Sequence, residues 1–416
     1  MNRIDVIVVG GGAAGLVAAG VAAKQGAQVL LLERNHRMAR KVMITGKGRC
    51  NITNNCSEES FLQHVCSNSK FLFGPIHRFP PQRTMAFLEE QGVPLKVERG
   101  NRVFPISDKA VDIVDALVSF ARNSGLGVHF MQKRVSKVLI SDQRVRGVSC
   151  EDNTEFLSPK VIVATGGKSY PQTGSTGDGY QFALQAGHTI VSLRPSLIPI
   201  ETREDWCREC MGLSLKNVTL TLWENGKKKP LYAELGEMLF THFGVSGPLV
   251  LTASTYLKKE LSLYHMEIDL KPALDAHQLE QRILRDFEKK QNRDFFNSLS
   301  ELLPRKLIPI IVRLSAIPPD EKVHQITKAQ RETLCHLIKH LPFTPKSLLP
   351  MDEAIVTSGG VCVKEISPQT MESKRCKGLY FAGEVLDLDA RTGGFNLQIA
   401  FSTGFVAGES AGKEDL

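Results

Sequence analysis

Val6-Ile7-Val8-Val9-Gly10-Gly11-Gly12-Ala13-Ala14-Gly15 is a β-branched run that breaks into three glycines, and Ala13 to Ala23 continues it as a small-residue helix. Strand, tight turn and helix in that order are the context that a G-x-G-x-x-G fingerprint requires. In such a turn the first glycine makes the bend. The second lets backbone N–H groups approach a pyrophosphate, and the third lets helix and strand pack closely. Gly10, Gly12, Ala13, Ala14 and Gly15 are therefore candidate contacts to a nucleotide cofactor, since the helix start favours negative charge. Glu33 follows a second apolar strand, Val29 to Leu32, about twenty positions beyond Gly12, where a carboxylate can accept from ribose hydroxyls. The uncharged run from Val6 to Ala23 has the length of a membrane span, but its glycine turn argues against one, and no basic segment precedes it as in a signal peptide.

At 416 residues and 42% hydrophobic content, the chain suits two or three globular domains. Its net charge of +8 does not require nucleic acid, because a bound dinucleotide is itself anionic. Basic and aromatic residues do not interleave as a stacking platform, so a nucleic-acid partner is not expected. Nine scattered cysteines, an odd number, point to reduced thiols and a cytoplasmic location. Cys207 and Cys210 are the one close pair. No second pair or histidine set completes a zinc site, and nothing around them marks a low thiol pKa, so chance spacing is the simpler reading.

After Glu33 the chain carries Arg34, Arg37, Arg40, Lys41, Lys47 and Arg49 before the next acidic residue, Glu58. A solvated surface run is the ordinary fate of such a cluster. The glycine-rich end Gly46-Lys47-Gly48-Arg49-Cys50-Asn51 argues instead for a cofactor-contacting loop, because small residues admit a ligand to the backbone and Arg49 and Asn51 supply donors. Helices are expected between Ser57 and Gln91, the second starting at Pro80-Pro81, and Ser107 is positioned to cap a helix over Asp108–Asn123. Segments near Val128–Met131, Val135–Ile140, Val145–Cys150 and Glu155–Leu157 alternate like a β-meander. Val161 to Ala164 returns as a buried strand ending at Thr165 and Gly166, and the loop 173–179 is expected to touch the cofactor.

Prolines mark both margins of a different region. It divides into a β-rich part, 193–272, and a helical part, 273–349, inserted between a first nucleotide-binding segment, 1–192, and a last one, 350–416. The last segment holds a strand ending in Gly383-Glu384, a loop with Asp387, and a turn and helix start at Gly394, Phe395, Asn396, Leu397 and Gln398. A carboxylate at a sheet edge can bond a polyol chain. Backbone N–H groups at a helix start can stabilise negative charge on a reduced ring.

Gly10 to Gly15, Gly46 to Asn54, Thr241-His242-Phe243-Gly244-Val245-Ser246-Gly247-Pro248 and Thr392 to Gln398 together resemble the BaiN-like family of bacterial NAD(P)/FAD-dependent oxidoreductases, over nearly the whole chain. The resemblance implies an α/β fold: a glutathione-reductase-type FAD-binding domain interrupted by an inserted β-rich plus α-helical unit. It implies pyrophosphate on Gly10 to Gly15, ribose on Glu33 with Arg34 and Lys41 nearby, and adenine near Val135, Thr165 and Gly166. The ring side would be met by Gly46, Gly48, Arg49, Cys50 and Asn51. Ribityl and isoalloxazine would lie against Gly383, Glu384, Asp387 and Gly394 to Gln398.

The expected activity is FAD-dependent hydride exchange between NAD(P)H, as a transient donor, and a small organic acceptor. Family resemblance suggests an unsaturated 3-oxo, bile-acid-like compound. A flavin-binding regulatory or RNA-associated protein, using the helical insert as its surface, is the second reading. A disulfide reductase is disfavoured, because no second G-x-G-x-x-G follows a strand. His242 and Tyr170 border turns and are conceivable proton donors, though such residues are more often structural.

Overall fold

The computed structural model describes residues 3–414, which form two compact units. One runs to Ser196 and resumes at Pro350; the other is Leu197–Leu349.

The first unit is built on a five-stranded parallel sheet. Its strands are β1 (Val6–Val9), β2 (Val29–Glu33), β3 (Val128–Gln132), β4 (Lys160–Val163) and β5 (Leu379–Phe381). The spatial order is β5-β4-β1-β2-β3, with Val6 opposite both Lys160 and Val29. Every residue of β1, β2, β4 and β5 is buried, as a sheet covered on both faces demands.

Helix α1 (Ala13–Lys24) is buried from Ala13 through Ala23. Its small side chains leave room for a second helix, α2 (Phe395–Gly412), to cross at backbone distance. Gly404, Gly408 and Gly412 of α2 face Ala14, Ala18 and Ala22 of α1. A β-carbon on Gly404 or Gly408 would overlap the Ala14 or Ala18 carbonyl oxygen, and one on Gly412 would stand 2.8 Å from the Ala22 α-carbon. The four-residue spacing on both helices makes these ridges meet.

Within this unit three expectations change in detail. Val128–Gln132 is not a meander strand but the edge of the parallel sheet, paired with Val29–Glu33. Only Val135–Ser141, Arg144–Cys150 and Glu155–Leu157 form the antiparallel sheet. The helix expected from Asp108 begins at Ala110, because Asp108 takes a left-handed φ of 56° and the Ser107 hydroxyl turns to Lys109 N and Asp112. Between Ser57 and Gln91 the chain forms helices Glu58–Gln63, Phe73–Arg78 and Pro81–Glu90, the last with Pro81 at its first position.

The second unit has a seven-stranded sheet that includes Ser214–Glu224, Tyr232–Phe240 and Tyr264–Asp269. Leu341–Phe343 and Pro345–Leu348, within the stretch read as helical, are strands of that same sheet. Helices Ala276–Glu288 and Lys328–Lys339 share one hydrophobic core with it, through Leu279, Ile283, Leu334 and Ile338 against Leu220 and Ile268. The unit begins at Leu197 because Ile190–Ser196 pairs with Val356–Val361 inside the first unit.

Candidate functional site

Because β1 lies between β4 and β2, the turn that follows it opens at the carboxyl edge of the sheet. Its glycines divide the work. At Gly10, φ is 103° and a β-carbon would come within 2.6 Å of the Ala164 carbonyl oxygen; at Gly15 one would overlap Gly10's own oxygen. Gly12 differs, since a β-carbon there would meet nothing within 4 Å. Its open side adjoins the first turn of α1, whose earliest intrahelical bond is Leu16 N to Gly12 O, 2.9 Å. That leaves the N–H groups of Ala13, Ala14 and Gly15 without a helical acceptor. An anion cradle of this form suits a pyrophosphate.

Glu33 is 8% exposed. Its carboxylate accepts from Gly11 N at 2.7 Å, Asn35 N at 2.8 Å and the Asn35 amide at 2.7 Å. A carboxylate has about four acceptor positions, so capacity remains for a ribose hydroxyl. The cleft beside it is lined by Gly10, Glu33, Arg34, Val135, Thr165 and Asp178 among others. It measures about 40 Å³ because charges bridge it: Arg34 reaches Thr176 at 2.7 Å and Asp178 at 3.6 Å, and Arg134 reaches Asp178 at 3.1 Å. The Thr165 hydroxyl is buried without a partner, a polar atom that suits a nucleotide at this edge, and Gly166 turns the chain away at a φ of 75°.

The loop after Glu33 returns to the sheet through Lys41. Its Nζ bonds Glu384 Oε2 and Ser169 Oγ, both at 2.7 Å, while Glu384 Oε1 accepts from Ser169 Oγ and Thr357 N, both at 2.9 Å. Gly383 stands so close to the first motif that a β-carbon there would be 2.9 Å from the Ala14 β-carbon. The two ends of the sequence thus converge on one edge.

Gly46 and Lys47 take left-handed conformations, and a β-carbon on Gly48 would meet open space. Arg49 is committed elsewhere: Nε bonds Asp108 at 2.8 Å, the guanidinium pairs with Glu98, and it lies 4.2 Å from the Phe104 ring centre. Cys50 is buried, and burial pushes its thiol up to about 12. Asn51 orients its amide oxygen to accept from Gly394 N at 3.1 Å and its nitrogen to donate to the Val103 and Thr53 carbonyls.

Gln398, fully buried, accepts from Thr53 Oγ1 at 2.6 Å and donates to Phe79 O at 2.9 Å. Asn396 closes on both backbone groups of Ala390, and Phe395 stacks on His64 at 4.5 Å. These side chains fasten the turn. What α2 offers a ligand is backbone, the N–H groups of Phe395, Asn396 and Leu397, since the first helical bond is Gln398 N to Gly394 O. Asp387 is held by Asn68 through its carbonyl and carboxylate.

Sequence reading missed Ser169 and Thr357, and of the two aspartates it set in the loop before Gly394 it took Asp387 as a cofactor contact but not Asp389. The last is fully buried, with Oδ2 accepting from Ser196 Oγ at 2.9 Å and Oδ1 unpartnered. The available signals were faint: Ser169 follows Gly166-Gly167, and Thr357 precedes Gly359-Gly360. Tyr170 is half-buried, its phenol pushed up by burial and by Glu353. His242 is exposed in the second unit, its ring 4.9 Å from that of Phe243. Cys207 and Cys210 are buried free thiols, both pushed up by burial. Among the described residues no helix is long and apolar enough to cross a membrane.

Residues 4–410 match the family described as HI0933-like protein Rossmann domain, and the chain belongs to it. It is 34% identical to a ribosomal RNA dihydrouridine synthase of Haemophilus influenzae over 98% of both chains. It is 31% identical to a 3-dehydro-bile acid delta(4,6)-reductase of Clostridium scindens, covering 99% of this chain and all of that one. Among solved structures it resembles a quinol-fumarate reductase (TM-score 0.54, 19% identity, 99% of this chain and 71% of that one). It also resembles the 3-ketosteroid delta1-dehydrogenase of Sterolibacterium denitrificans (TM-score 0.54, 13% identity, 99% of this chain and 100% of that one). The fold is the Rossmann-like FAD-binding α/β fold. The family sets the chain among FAD-dependent oxidoreductases.

Proposed function

We propose that this protein uses FAD to reduce a carbon–carbon double bond conjugated to a carbonyl, taking electrons from NAD(P)H, and that its substrate is a uridine in ribosomal RNA. The observation that carries the cofactor part is the meeting of Ala14 and Gly383, which joins the phosphate turn to the ring-side turn at one sheet edge.

The double-bond part rests on chemistry shared by two relatives. A 3-oxo diene and a uracil ring are both α,β-unsaturated carbonyls, and each named relative reduces one of them. A bound flavin would supply the hydride for the β-carbon; a proton completes the α-carbon, so one NAD(P)H and one proton are consumed per bond. The chain's own residues orient the cofactor. Gly10 to Gly15 take the pyrophosphate, Glu33 the ribose, Glu384 with Lys41 the polyol side, and the first turn of α2 the ring edge.

The RNA reading is supported by a second relative of the same name in Escherichia coli, 29% identical over 98% of both chains, and by the net charge of +8. This weighs against the sequence-based expectation of a small-molecule acceptor. That acceptor, an unsaturated 3-oxo compound, stays as the second reading because of the 31% relative. A competition assay with NADPH or NADH decides between them. Unmodified ribosomal RNA should gain dihydrouridine, seen as two added hydrogens by nucleoside mass spectrometry, while the 3-oxo diene is left unreduced; the reverse outcome selects the second reading.

A further inference from the structure

The Leu197–Leu349 unit carries an open cleft of about 720 Å³ lined mainly by Asn292, Arg293, Phe296, Asn297, Ser300 and Arg305. The local sequence explains its display. Phe295 is fully buried, which turns its neighbour Phe296 outward to 39% exposure, on a backbone held by Phe296 N to Pro319 O at 3.1 Å. Arg293 is likewise fixed through its backbone, N to Lys290 O at 2.8 Å and O to Val323 N at 3.1 Å.

The guanidinium groups are another matter. Three other cations of this unit are paired, Arg282 with Asp286, Arg313 with Glu209 and Lys290 with Glu301. Arg293 and Arg305 are exposed, and among the described residues neither side chain has an ion pair, hydrogen bond or ring contact. The one carboxylate lining the cleft, Asp294, is neutralised by Lys322 at 2.7 Å.

We propose that this cleft binds a segment of single-stranded RNA, its phosphates on Arg293 and Arg305 and one base stacked on Phe296, with Asn292 and Asn297 reaching base edges. The assignment rests on the RNA reading above. Guanidinium groups match phosphate, and an exposed ring accepts any base face. An acidic peptide would use the arginines but neither the ring nor the carboxamides. An open cleft suits a strand that enters and leaves better than a free dinucleotide that must be enclosed.

The test is fluorescence anisotropy of a labelled single-stranded uridine oligonucleotide with the full-length, FAD-loaded protein. Arg293→Ala with Arg305→Ala should weaken binding by ~10-fold at low salt and flatten the salt dependence by about 1.4 in slope. Phe296→Ala should weaken it by ~5-fold or more and leave the slope unchanged, while Phe296→Tyr keeps affinity. All three sites are exposed, so flavin content and visible spectrum should stay as in the wild type, which controls for folding. Wild-type affinity in both sets of variants overturns the proposal. So does displacement of the RNA by an equal concentration of polyglutamate or free NADPH. If the variants lose RNA but the wild type forms no dihydrouridine, the cleft stands and the substrate reading falls; if dihydrouridine forms with unchanged KM in the variants, the reading stands and the cleft falls.

Discussion

Lys41 Nζ lies 2.7 Å from Glu384 Oε2 across 343 positions of sequence, and both side chains are about four-fifths shielded from solvent. The pair joins the basic loop after β2 to the end of β5. Replacing one member leaves the other charge buried and uncompensated, which costs more than the pair's net contribution. Lys41→Met should therefore lower the unfolding free energy by about 2 kcal/mol and weaken FAD retention. Adding Glu384→Gln to it should recover part of the stability but not the cofactor. Urea melts of the apoprotein and FAD titrations measure the two effects separately.

Gly12 and Gly15 separate ligand from fold in the same way. Gly12→Ala projects a methyl into open space, so apoprotein stability should change by less than about 0.5 kcal/mol, while FAD affinity should fall ~10-fold or more because that space is the proposed phosphate cradle. Gly15→Ala drives a methyl into the Gly10 carbonyl and should destabilise the apoprotein itself. Equal effects of both on the melting curve would mean the turn has no ligand-specific role.

The crossing of α1 and α2 should tolerate no larger residue. Gly408→Val places its side chain against the Ala18 carbonyl, and a loss of about 3 kcal/mol is expected in chemical denaturation. The turns at Gly12 and Gly394 lead into this helix pair, so FAD binding should weaken with it.

Acid sensitivity should come from Glu365. Burial by itself would raise this carboxyl, but the Thr189 N–H and hydroxyl, Arg375 and His188 outweigh it and draw it down to about 2. A carboxyl lowered in the folded state contributes stability above its ordinary value, and that contribution fades as pH falls from about 4.5 towards 2. Glu365→Gln should be less stable than the wild type at pH 7 and converge with it at low pH, as thermal melts across that range would record.

Cys50 lies within the glycine-rich loop proposed to meet the ring, yet its thiol is pushed up to about 12 by burial. It should resist alkylation in the native protein at pH 8 and react only after unfolding. Rapid native modification at Cys50, read by peptide mass mapping, would reopen a thiol-based mechanism.

The fold was legible where one residue type does one job. Val6 to Gly15 reads as strand, turn and helix, and the parallel pairing of β1 with β2 follows from that unit. Val128–Gln132 was misjudged because alternation looks the same on a sheet edge as in a meander; only pairing with β2 decides it. At the site, glycines were readable because close approach excludes side chains. The polar side chains were less so: Asn51 looks like a ligand donor in sequence, whereas it spends its hydrogen bonds on backbone groups, as Asn396 and Gln398 also do. Ser169 and Thr357 carry no spacing signal, since their roles arise only when Glu384 arrives from far along the chain.

An anaerobic single turnover of the purified, FAD-loaded protein joins cofactor, donor and acceptor in one measurement. NADPH or NADH should bleach the flavin absorption. Unmodified ribosomal RNA should then restore it, with one dihydrouridine formed per flavin reoxidised. A protein that binds no FAD, or a reduced flavin that RNA and the 3-oxo diene both leave bleached, would contradict the account.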